Sequence, residues 1–102
     1  MGKFVLAYKG GSTPTSEAEG AKVMEAWMGW FGTLGAAVVD GGNPFGASTA
    51  VLADGSTGAA SAGLTGYSIV TADGLDAAAT LAKGCPILAA GGSVEVYEAH
   101  DM

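Results

Sequence analysis

The residues best equipped for chemistry lie in Asp40-Gly41-Gly42-Asn43-Pro44-Phe45-Gly46. A carboxylate, two glycines and then Pro-Phe make a rigid turn that holds one acid and one exposed aromatic near a strand end, where α/β sheets tend to place their sites. Asp40 is the candidate general acid or base, because partial burial raises a carboxylate's pKa toward neutrality. Its plainer role is an Asx turn, accepting hydrogen bonds from the amides of Gly41 to Asn43. Asn43 and Phe45 are candidates to orient and cover a ligand. Read plainly, Asn-Pro fixes an extended approach and Phe45 plugs a core gap. Tyr8, near the end of the first β-prone run, and Trp30, at the edge of a helical apolar arc, complete the ligand-binding set. Trp27 at its helical spacing reads as core.

Other chemistry is poorly supplied. Cys85 falls near a helix C-terminus, which raises a thiol's pKa, and the single histidine, His100, lies in the tail beside Asp101. No Ser-His-Asp order, phosphate-binding loop or metal spacing occurs. One cysteine and one histidine exclude an internal disulfide and a closed zinc site within one chain, so neither metal nor cofactor is expected. Ten acids against four lysines, with no arginine, give a net charge of −6. Lys3, Lys9, Lys22 and Lys83 are scattered, so the sequence argues against nucleic acid and against an anionic membrane surface as partners.

The elements that position these residues follow from pattern. Lys3 to Tyr8 is a β-prone run closed by Lys9-Gly10-Gly11. Ser16 with Glu19 forms a capping box that opens a helix running to Leu34, with Gly35 as its C-terminal cap. Gly20, Val23, Met24, Trp27, Met28, Trp30, Phe31 and Leu34 share one arc of that helix. Seven large side chains at about 1.5–3 kcal/mol each make their burial worth roughly 10–20 kcal/mol, so this face is expected to be buried. Residues 36–40 form the second strand and 47–53 a short added strand, with 54–58 as its turn. Residues 66–71 form a third main strand. Asp73 is expected to cap a helix over 74–83, stopped by Gly84 and Pro86, and 93–98 is the last strand. The order βαβ, hairpin insertion, βαβ predicts a single domain over 1–102, an α+β ferredoxin-like sandwich with both helices on one sheet face.

Apolar residues occupy both faces of the predicted strands: Phe4, Leu6 and Tyr8 alternate with Lys3, Val5 and Ala7. With 49% hydrophobic and only 14% charged residues, the uncovered face predicts a homodimer. There is no run of eighteen apolar residues and no signal-peptide pattern at Met1-Gly2-Lys3-Phe4, so a cytoplasmic location is expected.

The order and spacing of Val39-Asp40-Gly41-Gly42-Asn43-Pro44-Phe45, Leu64-Thr65-Gly66-Tyr67-Ser68-Ile69-Val70, Ala82-Lys83-Gly84-Cys85-Pro86 and Gly91-Gly92-Ser93-Val94-Glu95-Val96-Tyr97, with the opening strand and the Trp-rich helix, resemble the YCII-related (DGPF-domain) proteins. The resemblance implies a dimeric α+β barrel. It also implies, for some members, enzymes that use a helix histidine and an aspartate before a proline, one relative removing chloride from a hydroxylated aromatic ring. Here those positions fall near Met24 and at Cys85. Other members of the family are linked to sigma factors. Three functions therefore stand: a small organic molecule bound in a dimer-associated cleft, an enzyme acting on a small, for example aromatic, substrate through Asp40, or a regulatory module docking through the outer helix face at Gly29 and Gly32.

Overall fold

Alternating apolar side chains draw the first segment into β1 (Gly2–Lys9), which lies inside a four-stranded sheet. The computed structural model describes residues 2–11 and 15–100. Ser12 to Pro14, Asp101 and the chain ends Met1 and Met102 fall outside them. After β1 come α1 (Glu17–Leu34), a single 3-10 turn (Gly35–Ala37) and β2 (Val38–Asp40). A small hairpin, β3 (Ala50–Val51) with β4 (Thr57–Gly58), precedes β5 (Leu64–Ala72), α2 (Leu75–Ala82), α3 (Pro86–Ala89) and β6 (Ser93–Ala99). The main sheet has the order β2-β5-β1-β6 with every neighbouring pair antiparallel. The class is α+β.

Helix α1 begins where expected. The Ser16 hydroxyl accepts the Glu19 N–H at 3.1 Å, and Gly35, at φ 55°, closes the helix by donating its N–H to the Phe31 carbonyl. The reciprocal half of the capping box differs, because the Glu19 carboxylate accepts from the backbone and hydroxyl of Thr15 instead of from Ser16. Asp73 does not cap α2. Gly74 occupies that position, without a side-chain hydrogen bond. Pro86 does more than stop a helix: it is a first-turn residue of α3, where its missing N–H costs nothing. Residues 57–58, expected in a turn, pair with β3, and the turn itself is closed by the Leu52 N–H donating to the Ser56 carbonyl at 2.8 Å.

The core sits on one sheet face. Phe4, Leu6 and Tyr8 from β1 and Val70 and Ala72 from β5 pack with Trp30, Ala78, Ala82, Cys85 and Ile87 from the helical layer. The opposite face, reached by the two-residue alternation of the strands, carries Val5, Ala7, Tyr67, Ile69 and Tyr97. There Val5 lies across from Ile69 on one side and Tyr97 on the other. The molecule is 18 Å through its thinnest axis, which admits one helical layer on the sheet. No helix among the described residues is long and apolar enough to cross a membrane.

Candidate functional site

Gly42 explains how the Asp-Gly-Gly-Asn-Pro-Phe turn reaches the sheet. It adopts φ 74°, and a Cβ there would sit 1.7 Å from the Tyr67 carbonyl oxygen. Only glycine lets the backbone lie so close across β5. Two backbone hydrogen bonds, from Phe45 N–H to the Thr65 carbonyl at 2.9 Å and from Tyr67 N–H to the Asn43 carbonyl at 3.4 Å, clamp it there. The buried Ser68 hydroxyl supplies a third, donating to the Gly41 carbonyl at 2.7 Å.

That clamp forms one wall of a cavity of about 400 Å³, and the apolar face of α1 forms the other. Tyr8 and Ser68 line its floor, turn residues 41–44 one side, and Met24, Trp27, Met28 and Phe31 the other. The expectation that the whole helix arc is buried is corrected here. Trp30 is buried, but Met24 and Met28 are 64% and 70% exposed and Val23 is also exposed. The helix carries a wider apolar stripe than the sheet beneath it can cover, and the surplus becomes cleft wall. The Trp27 ring meets Tyr8 edge-on at 5.1 Å and Trp30 at 5.7 Å, which fixes its position between core and cleft.

The residues singled out from the sequence do not converge on one point. Tyr8 and Asn43 line this cavity. Trp30 is core, its indole N–H donating to the Leu81 carbonyl at 3.2 Å, and it borders a second depression, between α1 and α3, that it shares with Trp27. The exposed Asp40 accepts the Gly42 N–H on Oδ1 at 2.8 Å and stands outside the cavity. Phe45 stacks on Tyr67 at 5.7 Å, and alternation along β5 puts the Tyr67 ring on the open sheet face. Gly29 and Gly32 have open space where a Cβ would go. Met24, Trp27, Met28, Phe31 and Ser68 are the cleft residues that the sequence reading assigned elsewhere. For the four α1 residues the signal was the excess width of the apolar arc; Ser68, on β5, had none.

Two buried titratable groups, Tyr8 and Cys85, are held neutral. Burial pushes the Tyr8 phenol up to about 12, against the opposing pull of its hydrogen bond to Ser68. Burial likewise pushes the Cys85 thiol up to about 11, opposed by the Ile87 N–H. Cys85 is the residue before the first turn of α3, and desolvation, not a helix C-terminus, is what raises its pKa. His100 lies in the exposed tail with Glu98 3.2 Å away. Among the described residues no cluster of His, Cys, Asp and Glu is arranged to hold a metal. Compared with protein-family models, curated proteins and solved structures, the chain matches none.

Proposed function

We propose that this protein is a YCII-like binder of small organic molecules, taking its ligand in the cleft between α1 and turn 41–44. The observation that carries this reading is the lining: a preformed cavity of drug-binding size, walled almost entirely by apolar and aromatic side chains with a few polar groups at its floor. Catalysis by Asp40 is the weaker reading, because that carboxylate caps its own turn and is not among the lining groups.

The subunit is proposed to be ferredoxin-like, in keeping with the order β2-β5-β1-β6, and to pair with a second copy across the open sheet face as a dimeric barrel. Val5, Ala7, Tyr67, Ile69 and Tyr97 on that face support the pairing. A cytoplasmic setting suits a chain with one buried free cysteine. The test is a thermal-shift screen of small apolar fragments on the wild type and on Met24→Glu. Binding to the native state alone raises Tm by mass action. Hits lost in Met24→Glu support the cleft, whereas hits of equal size in both proteins place binding elsewhere.

A further inference from the structure

The floor of the cleft has a fixed hydrogen-bond polarity. The Gly41 carbonyl can only accept, so the Ser68 hydroxyl 2.7 Å away spends its one proton on it. Ser68 Oγ must then accept from the other neighbour, and the Tyr8 hydroxyl at 2.7 Å spends its proton there. Both donors are consumed. The Thr65 hydroxyl donates to the Tyr8 carbonyl at 3.3 Å, and the Asn43 amide, which also lines the cavity, is exposed and meets water, so what remains at the buried floor is acceptor capacity on the Tyr8 phenol oxygen. The phenol keeps its proton throughout the neutral range, since burial disfavours the phenolate.

The walls set a second constraint. Among the described residues, no Lys, Asp, Glu or His lines this cavity; its side chains are aromatic, thioether, aliphatic, amide and hydroxyl. Lys22 and Glu19 border the other depression, not this one. An anion here would be desolvated without a partner, inside a chain that already carries −6. The Met24 and Met28 thioethers beside Trp27 and Phe31 suit the face and edge of a flat ring, because sulfur and aromatic groups attract one another and methionine adapts its shape.

Resting on the cleft as the binding site, we infer that its ligand class is a neutral, planar aromatic molecule that carries a hydrogen-bond donor, N–H or O–H, directed at the Tyr8 oxygen. Acceptor-only rings and aromatic carboxylates are disfavoured, the first by polarity and the second by charge.

Three probes of nearly one shape separate these terms: indole, which has the donor; benzothiophene, which lacks it; and indole-3-carboxylate, which adds a charge. Dissociation constants are read from fluorescence and from ligand-induced Tm shifts at one pH. Indole is expected to bind about tenfold more tightly than benzothiophene, the range for one hydrogen bond to a buried acceptor that otherwise goes unmet, and indole-3-carboxylate more weakly than either. In Tyr8→Phe the preference for indole over benzothiophene is expected to vanish while benzothiophene affinity is kept. Equal wild-type affinity for indole and benzothiophene, or preference for the carboxylate, overturns the ligand class even if Tyr8→Phe does not fold. Indole binding unaffected by Met24→Glu would instead overturn the cleft itself, so the two failures are distinguishable.

Discussion

Replacing Gly42 by alanine should detach the turn that walls the cleft, while the same change at Gly41 should pass almost unnoticed. At Gly42 the new methyl would lie 1.7 Å from the Tyr67 carbonyl oxygen and 2.6 Å from its carbon, both backbone atoms that cannot swing aside. The left-handed φ adds strain of roughly 1–2 kcal/mol for any residue with a Cβ. Lifting the turn also releases three hydrogen bonds to β5, namely Phe45 N–H to Thr65, Tyr67 N–H to Asn43 and Ser68 Oγ to Gly41. At about 1 kcal/mol each, the total loss is roughly 4–5 kcal/mol, a large part of the about 5–15 kcal/mol that holds an ordinary domain together. In a domain of this size that corresponds to a fall in Tm of at least about 15 °C. Among the described residues, nothing beyond its chain neighbours lies within 4 Å of a Cβ at Gly41, so Gly41→Ala should change stability by less than about 1 kcal/mol. Urea unfolding and thermal melting of the two variants decide the matter. If Gly42→Ala melts within about 3 °C of the wild type, the turn does not lie against β5 and the cleft has lost a wall.

Asp40→Asn keeps the acceptor oxygen for Gly42 and should leave both Tm and any ligand-induced shift intact; loss of the ligand shift alone would return Asp40 to the site. Because the folded pKa values of Cys85 and Tyr8 are raised from 9.0 to about 11 and from 10.0 to about 12, the unfolded chain ionises first. Their contribution to stability should therefore be complete below about pH 9 and fall as pH rises through 11 and 12, with Cys85→Ala and Tyr8→Phe each flattening part of the decline in pH-dependent melting. Native Cys85 should resist alkylation at pH 8 and react only on unfolding. Light scattering at micromolar concentration should report a dimer, and Ile69→Lys on the open face should yield monomers; a wild type with a concentration-independent melt and monomer mass would remove the barrel.

How much was legible in the sequence varied with the range of the interactions. Ser16 and Gly35 announced the ends of α1 because caps are local chemistry, and the two-residue alternation of β1 announced a sheet with two apolar faces. The short helix α3 was hidden because Pro86 was read as a terminator, whereas proline is equally at home in a first turn. Thr57-Gly58 looked like turn because two-residue strands carry almost no pattern. The cleft was hidden for a different reason. A wheel shows that Met24, Met28, Trp27 and Trp30 share a face, but which of them is buried depends on how far the sheet extends beneath the helix. Trp30 found Leu81, and Met24 and Met28 stayed exposed beside the cleft. Asp40 drew attention as an acid, yet its nearest donor is the amide two residues on, and that local bond takes precedence.

The four methionines permit the most direct test of cleft binding. Protein labelled with 13C at the methionine methyls is titrated with indole and followed by two-dimensional NMR. The expected result is saturable shifts of the Met24 and Met28 methyl signals, which line the cavity, with the Met28 response abolished in Met24→Glu. Saturable binding of indole that leaves the Met24 and Met28 signals in place would contradict it.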